Sequence, residues 1–588
     1  MTNRFSNLSF KIMKHPLLSC LLFFISFLPL QVFASAWTTA PQYPAAFIEN
    51  KGQFNGHNGC NWKVLYAVDH GPFQIYFSKE GVVYRFDNKI KEESAADPKE
   101  KAREELRELH QKMKGEKEIK MKSEWISMTW VGADANVELI SEIARPDYFN
   151  YALGSNDQHV DFVSGYRRII YKNIYPGINI IFSFDQNDKL NYSFEVDPGA
   201  DAGKIKMKYS TSLNFKCNAS SELVFKTQFG PLMHTAPKAF LETINGKSVD
   251  CSFQCKNNTV ELNIGSYNKS QKLIIDPWIV FPPSPNSNKV WELETDNAGN
   301  VYTYSGDMPF TLRKYSPTGT LLWTYLTPWD SSGYWVGGMI THPNGETYIT
   351  SGSNGEIRKI NTSGVQQWYN NPNLLTSYEY WSMAFNCDLS RLVVGGSKAT
   401  FSIPTPLIQG AIMEINLASG AIANTKIVGY GNVLGFPPNV QEVSSICAAP
   451  NGNYYFLTLD SVGAIDVNLS APVFKTATSY GFDYYIPGYG FGTKQPISAI
   501  RASYDAFYTT NGITVDKRDL YTGAILATAA VPNGQSTSTF FGTHVQGNGG
   551  LDVDSCGNVY VGSIGSVHRY DHNLNLLNTA PAPGAVYD

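Results

Sequence analysis

Charged residues are scarce in this chain, at 17% of 588 residues, and the formal net charge at pH 7 is only −4. This composition offers no basic surface for nucleic acid or for an anionic membrane, so we expect neither partner. Aromatic residues, in contrast, make up 13% of the sequence. Many aromatic and turn-forming residues with few charges predict short strands joined by tight turns, and therefore an all-β protein.

The signature motifs of common hydrolases are also missing. The sequence contains no G-x-S-x-G nucleophile elbow and no H-E-x-x-H zinc motif, and its His residues are scattered. We therefore assign no catalytic residue, no cofactor and no metal ligand. A pair of carboxylates for glycoside cleavage stays open as an alternative, because its two members can be distant in sequence.

Long apolar runs are absent except near the amino terminus. Arg4, Lys11 and Lys14 precede an apolar stretch over residues 17–33, and Ala34 and Ala36 then form an A-x-A pattern. This layout predicts a signal peptide over residues 1–36, cleaved near Ser35 or Trp37, with a retained membrane anchor as the alternative. We expect an extracellular or outer-surface protein with no membrane span after cleavage.

Cysteines are few and do not cluster as metal ligands do. Seven remain after removal of Cys20 with the signal, so at least one thiol has no partner within the chain. Cys251 and Cys255 share one face of a predicted strand but lie about 13 Å apart at strand rise, too far to bond each other. Either one can meet Cys217 across neighbouring strands. The C-x3-C pair alone is weak evidence for zinc.

Strand patterns dominate residues 45–278. Alternation in Phe73–Phe77 and Val82–Phe86 around a Ser78–Gly81 turn predicts a hairpin. Further strands are predicted at Trp125–Trp130, Arg168–Tyr171, Ile178–Phe184, Leu190–Val196, Ile205–Tyr209 and Leu223–Thr227. These strands indicate a β-sandwich-like domain. Residues 89–122 differ, because their dense mixed charges with a thin apolar stripe predict an exposed helical insertion.

A repeat fills the second half, which we delimit as residues 279–588. Each unit has a turn before an aromatic-rich strand and a second turn further on, as in Asp296–Tyr302 and Leu312–Gly319. The first turn recurs at His342–Tyr348, Asn386–Val394, Pro450–Tyr455, Ala502–Tyr508 and Asp554–Tyr560. Six such units of four short strands predict a six-bladed β-propeller, with seven blades as the alternative.

The front half resembles an all-β domain of unknown function found ahead of propellers in large secreted bacterial proteins. The residues that carry the resemblance are Phe47–Gln53, Tyr175–Ile180, Leu190–Phe194, Pro198–Asp201 and Leu273–Pro277. The second half resembles the SBBP-type propeller repeats that follow this domain. The resemblance implies the surface and secreted repertoire of gliding bacteria, and such proteins commonly end in a type IX secretion sorting domain. No such tail is visible before Asp588, so we expect either a fragment or retention by another route.

Two chemical interpretations of the repeat compete with a purely structural one. Asp552 and Asp554 before Gly557 offer alternate oxygen ligands for calcium, but the series is incomplete and hairpin turns are favoured. Trp323 and Trp368 each follow a turn Gly by four residues, which resembles the tryptophan-docking repeats of quinoprotein propellers. The later units have Asn424 and Ala527 at that position, and the Cys pair of those enzymes is absent.

We predict that this chain is itself a cell-surface or secreted protein that acts in adhesion or as a scaffold. Its propeller is the recognition module. Its partner is a protein or a glycan at the propeller rim, where Tyr484, Tyr485 and the run over residues 488–492 supply aromatic side chains. The alternative is a carbohydrate-active or quinoprotein-like enzyme with its site at the central channel. The sequence does not fix the oligomeric state.

Overall fold

A computed structural model describes residues 45–56, 59, 61–70, 73–89, 121–154, 157–242, 246–281, 290–305, 310–329, 337–352, 355–372, 377–400, 407–432, 442–458, 461–477, 485–486, 490–491, 499–534 and 550–586. The predicted signal peptide and the interior of the predicted helical insertion lie outside these residues. None of the described residues form a helix long and apolar enough to cross a bilayer.

In the part of the front domain that the structure describes, strands are joined by loops and one short 3-10 turn, Ala202–Lys204. Its strands are β1 Phe47–Glu49, β2 Tyr66–His70, β3 Phe73–Phe77, β4 Gly81–Lys89, β5 Met121–Trp130, β6 Glu138–Ala152, β7 His159–Tyr175, β8 Ile178–Phe184, β9 Leu190–Val196, β10 Lys206–Thr211, β11 Phe215–Cys217, β12 Leu223–Thr227, β13 Gly230–His234, β14 Lys238–Leu241, β15 Ser248–Val249, β16 Cys251–Lys256, β17 Thr259–Ile264, β18 Leu273–Asp276 and β19 Ile279–Val280.

Two sheets of this domain enclose one hydrophobic core. In the larger sheet, consecutive neighbours are β16, β17, β10, β5, β4, β3, β2, β1, β7, β8, β9, β18, β14 and β15. The smaller sheet joins β11, β12, β13 and β19. Alternate residues of both sheets point into the same core, as Tyr192 and Phe194 do in β9 and Leu223 and Phe225 do in β12. This burial pattern is the period-2 alternation that the sequence shows.

The predicted hairpin is confirmed, with Phe73 opposite Phe86 and Phe77 opposite Val82. The other six predicted strands are also confirmed. Three have the bounds of β8, β9 and β12, two lie within β5 and β7, and one overlaps β10. The charged segment 89–122 has strand at both ends, because Lys89 pairs with Met121 and Asn88 with Lys122. The predicted helix can therefore occupy only residues 90–120, which lie outside the described part.

A disulfide joins Cys217 in β11 to Cys255 in β16, with Cα atoms 5.7 Å apart. The bond selects one of the two pairings that the sequence left open. Cys251 remains a free, half-buried thiol, and burial raises its pKa to about 11. The bridge ties the smaller sheet to the edge of the larger one and closes a loop of 38 residues.

The described residues of the second half form six consecutive antiparallel modules, which we call blades 1 to 6. Their strands are β20 Val290–Thr295, β21 Val301–Ser305, β22 Thr311–Tyr315 and β23 Leu321–Leu326; β24 Met339–Thr341, β25 Thr347–Thr350, β26 Ile357–Ile360 and β27 Gln366–Asn370; β28 Ser377–Phe385, β29 Leu392–Thr400, β30 Leu407–Ile415 and β31 Ile422–Asn432; β32 Val443–Ala448, β33 Asn453–Thr458, β34 Ser461–Asp466 and β35 Pro472–Ala477; β38 Ala499–Ala502, β39 Phe507–Thr510, β40 Thr514–Arg518 and β41 Ile525–Ala530; and β42 Leu551–Val553, β43 Val559–Tyr570 and β44 Leu576–Ala585. A small hairpin of β36 Tyr485–Ile486 and β37 Gly490–Phe491 lies between blades 4 and 5.

Blade 6 has three strands because β43 reverses within its own length. The Ser563 Oγ lies 2.9 Å from the His568 Nε2, whereas residues five apart in a straight strand lie about 16 Å apart. Gly565 between them has φ of +74°, a conformation that glycine adopts without strain. The chain therefore folds back at Gly565, and β43 supplies the second and third arms of the blade.

Each pair of consecutive blades shares a hydrophobic core, so the predicted repeat is confirmed as a β-propeller, with six blades among the described residues. Blades 3 and 4, for example, pack Val393 and Ile412 against Ile446 and Phe456. Val280 pairs with Met233 of β13, so the strands of the front domain extend past residue 279 and those of the propeller begin at Val290.

The two halves are joined by strand pairing, which the sequence did not indicate. β6 of the front domain runs parallel to β23, the outer strand of blade 1, with Tyr148 opposite Trp323 and Tyr151 opposite Leu326. Beside this seam the buried Arg358 of blade 2 donates to the Gly154 carbonyl oxygen, at 3.1 Å. The front domain therefore covers the outer edge of the first blade.

Candidate functional site

The two rims of the propeller are built differently. The turns between first and second strands and between third and fourth strands lie on one side, which we call the turn rim. In the turn at Asp296, one carboxylate oxygen accepts from the Ala298 and Asn300 amides, and Gly299 has φ of +77°. The remaining connections leave from the opposite side, the loop rim, and include the longer ones, residues 478–498 and 531–550.

A cavity of about 360 Å³ lies on the turn rim between blades 3 and 4. Its blade 3 wall is the turn after β28, including Cys387, Asp388 and Arg391, and its blade 4 wall includes Gly452 and Tyr454. The volume falls at the lower end of the range for small-molecule sites, about 300 to 1,000 Å³. The cavity is thus large enough for a small ligand and is lined by hydrogen-bonding groups.

The Tyr454 hydroxyl is the unusual group in this lining. The side chain is 1% exposed, and the hydroxyl is buried without a hydrogen-bond partner among the described residues. Tyrosines that face the next blade are satisfied, since Tyr302 donates to the Gly345 carbonyl oxygen and Tyr455 to that of Leu520, whereas Tyr454 faces the preceding blade. Burial raises the pKa of Tyr454, so the group stays a neutral donor and acceptor.

Charged and thiol groups around the cavity hold the two blades together. Arg391 donates through Nη1 to the Val467 carbonyl oxygen and to Asn468, and the Cys387 thiol donates to the Ala449 carbonyl oxygen at 3.0 Å. Asp388 accepts from the Ser390 amide and hydroxyl, and these bonds lower its pKa. The lining of the cavity therefore carries one cation, Arg391, and one anion, Asp388.

Buried carboxyl groups accompany tryptophans on the loop rim. The Trp381 indole donates to Glu442 at 3.2 Å, and the Trp329 indole donates to Glu356. Both glutamates are 2% exposed. Trp381 is the extra residue of a β-bulge in β28, a feature that re-aims a side chain. A Cβ on Gly396 opposite this bulge would come within 1.8 Å of the Glu379 carbonyl oxygen, so only glycine fits there.

Glu442 and Glu379 form a coupled pair. Burial, followed by the charge of Glu379 and a hydrogen bond with it, raises the pKa of Glu442 well above its usual range. Glu379 also accepts from the Ser397 hydroxyl at 2.9 Å. Burial beside Glu379 therefore favours the protonated form of Glu442. Two carboxyl groups in mutual hydrogen-bond contact are closer than the roughly 5 to 9.5 Å that glycoside hydrolysis requires.

The turn at Asp554, for which calcium is the less favoured interpretation, is a hairpin turn held by its own donors. Asp554 accepts from the amides of Cys556 and Asn558 and from the side chains of Asn558 and Tyr560. No group of three or more His, Cys, Asp or Glu side chains that could hold a metal ion occurs within the described ranges.

The docking tryptophans lock consecutive blades. Trp323 donates through its indole to the Thr362 carbonyl oxygen of blade 2, and Trp368 donates to that of Leu417 in blade 3. A Cβ on Gly364 would come within 2.7 Å of the Trp323 ring, so the glycine allows the ring to lie against the next turn. Of the aromatic run between blades 4 and 5, the backbone of residues 485–486 and 490–491 forms a hairpin, and Tyr484 lies outside the described residues.

Sequence reasoning missed both the cavity and the buried glutamates. The signal for the cavity is the turn over residues 386–394, where the repeat departs from its pattern and Leu389 takes the positive φ of +60° that glycine has elsewhere. The glutamates carry no local signal, because their burial depends on tryptophans up to 61 residues away.

These features define an all-β protein with a front domain followed by a propeller. Residues 47–278 match a family described as a domain of unknown function, DUF7948. No curated protein matches the chain. Solved structures similar to it include a protein of unknown function from Bacteroides caccae, at 11% identity, with 48% of this chain and 93% of that chain covered and a TM-score of 0.32. Another is virginiamycin B lyase from Staphylococcus aureus, at 11% identity, with 63% and 95% covered and a TM-score of 0.32.

Proposed function

We propose that this protein is an exported binding protein, on the cell surface or secreted, that uses its propeller as the recognition module. The observation that carries the proposal is the cavity between blades 3 and 4, which two rigid blades wall and which holds an unsatisfied buried hydroxyl. Recognition groups placed on turns of a rigid scaffold are typical of binding sites.

Export is part of the same proposal. The signal peptide pattern over residues 1–36 supports it, and so does the Cys217–Cys255 disulfide, since such bonds persist in oxidising compartments. The resemblance to secreted proteins with SBBP-type repeats supports a role in adhesion or as an envelope scaffold. We propose type IX secretion as the export route, because this resemblance implies it.

Binding is tested with residues 37–588 immobilised and probed against a glycan array and against purified surface proteins of the source cells. The variant Asn453→Trp places a large ring beside the cavity, whereas Asn263→Trp makes the same change on an exposed strand of the front domain. Loss of a bound ligand with the first variant alone supports the proposal. Absence of any ligand for the unmodified chain contradicts it.

An enzyme is the second candidate, and the Glu379–Glu442 pair favours it. A buried carboxyl group whose pKa is raised by a neighbouring carboxyl group is an arrangement that acid–base enzymes use. The variant Glu442→Gln keeps the shape and the neutral charge of the protonated side chain. Turnover of a peptide by the chain that Glu442→Gln abolishes without unfolding supports catalysis, and activity of this variant equal to that of the unmodified chain excludes this pair.

A further inference from the structure

The cavity between blades 3 and 4 has a chemistry that restricts its ligand. Its volume of about 360 Å³ suits a single small ring rather than a peptide segment. Two blades contribute the lining, so its shape depends on the packing of β28 and β29 against β32 and β33. A ligand here contacts rigid strand ends and short turns.

The buried Tyr454 hydroxyl asks for a hydrogen-bonding partner. An unsatisfied buried hydroxyl is costly, and most such groups in folded proteins are paired. Tyr454 is itself one of the residues that line the cavity, together with Arg391, Cys387 and Asp388. A ligand hydroxyl that reaches the Tyr454 oxygen from the cavity would satisfy it.

The charges around the cavity disfavour an anionic ligand. Arg391 is the cation of the lining and Asp388 is an anion of opposite sign, while the Glu414 carboxylate lies 3.7 Å from the Arg391 Nε. Arg391 already donates to Val467 and Asn468, and one oxygen of Asp388 already accepts from Ser390. The lining thus offers individual hydrogen-bond donors and acceptors to a ligand, whereas its charged groups already have partners in the protein.

We infer that this cavity binds a neutral, hydroxyl-rich ring, namely one sugar unit of a glycan. Each sugar hydroxyl both donates and accepts, which matches the Tyr454 hydroxyl, the Asp388 carboxylate and the Asn453 amide in one lining. This inference rests on the proposed function, which it makes specific by naming the ligand class.

The test measures binding of glucose, galactose, mannose and N-acetylglucosamine to residues 37–588 by saturation-transfer NMR and calorimetry. Glucuronate and glucosamine serve as the charged comparisons. We expect at least one neutral sugar to bind and glucuronate to bind more weakly. Failure of all four neutral sugars overturns the inference, as does tighter binding of either charged sugar.

Two phenylalanine variants localise the binding. Tyr454→Phe removes the cavity hydroxyl and is expected to weaken sugar binding about three- to tenfold without lowering the melting temperature, because that hydroxyl has no partner in the protein. Tyr380→Phe removes another buried hydroxyl without a partner, away from the cavity, and is expected to leave binding unchanged. Equal sugar affinities for Tyr454→Phe and the unmodified chain overturn the inference.

The experiments distinguish failure of the sugar assignment from failure of the proposed function. If no sugar binds but a purified surface protein binds and Asn453→Trp abolishes that binding, the sugar assignment fails and the recognition function stands. If neither a sugar nor a protein binds, both fail.

Discussion

His234 shows how the front domain accommodates a polar side chain in its core. The rings of Tyr84, Tyr192, Tyr209 and Phe225 lie with centroids 5.6 to 6.5 Å from the imidazole. The Tyr192 hydroxyl pairs with the His234 Nδ1 at 3.0 Å, whereas the Nε2 has no partner among the described residues. Burial lowers the pKa of His234 to about 3, so the folded protein holds a neutral imidazole.

This depressed pKa predicts a loss of stability in acid. His234 takes up a proton near pH 6.5 in the unfolded chain but only near pH 3 in the folded chain. This residue therefore does not lower the free energy of unfolding above pH 6.5, and it lowers it progressively as the pH falls from 6.5 to 3. The loss attributable to this residue reaches about 3 kcal/mol at pH 4. Melting temperatures of residues 37–588 from pH 4 to 8 measure it.

His234→Gln is the matched variant, because its amide does not titrate. We expect a lower melting temperature at pH 7 but a shallower decline toward pH 4. A decline as steep as that of the unmodified chain contradicts the assignment to His234.

The disulfide marks the limit of what single residues reveal in the sequence. Strand periodicity places Cys251 and Cys255 on one face, which correctly leaves Cys217 as the partner of either. The choice depends on how the smaller sheet sits against β16. That placement is set by core packing among residues distant in sequence, and it has no local signal.

At the scale of elements, contacts between an aromatic ring and a turn glycine recur along the propeller. The Trp323 ring lies against Gly364 and the Trp368 ring against Gly420, and a Cβ on Gly523 would come within 2.6 Å of the Phe474 ring. The sequence predicted the two tryptophans, but not Phe474. That blade has Leu469 with φ of +55° in its turn instead of glycine, so a pattern anchored on glycine does not find it.

Gly364→Ala tests the contribution of this contact. The substitution places a methyl group against Trp323 and Asn150 at a φ of +73°, so strain and overpacking together cost about 3 kcal/mol. Gly557→Ala is the control in the same propeller. Its φ is +79° and its nearest neighbour lies at an ordinary 3.6 Å, so only the backbone strain of about 1 kcal/mol applies. Urea unfolding measures the free energy of unfolding of both variants. Equal losses for the two contradict a stabilising contribution from the contact between Trp323 and Gly364.

At the scale of the whole molecule, the front domain and the repeated blades behind it can be predicted from sequence patterns, which left six or seven blades open, but the junction between the two cannot. β6 and β23 are separated by most of the front domain, and no periodicity encodes which strands of different domains pair. Asn150, which is fully buried at this seam, contacts the Ser363 carbonyl oxygen of blade 2. Part of the hydrogen bonding of Asn150 therefore depends on the propeller, while its Oδ1 accepts from the Phe162 amide of the front domain.

The junction predicts that the propeller depends on the front domain. A chain of residues 290–588 exposes the edge of β23 and leaves Arg358 without the Gly154 carbonyl oxygen. Open strand edges promote association, so we expect this chain to self-associate, whereas residues 37–588 stay monodisperse at the same concentration. Sedimentation velocity measures the difference. A monomeric fragment with an unchanged melting temperature contradicts the prediction.

The parallel pairing of β6 with β23 also has a mechanical consequence. In the proposed adhesive role, tension between the bound ligand and the cell would pass through the joint between the front domain and the propeller. This joint is a row of paired residues from Trp323 to Leu326, with hydrogen bonds from Tyr148, Asn150 and Arg358 beside it. Force directed along these strands loads the bonds together in shear instead of opening them one after another, so the seam is suited to carry traction.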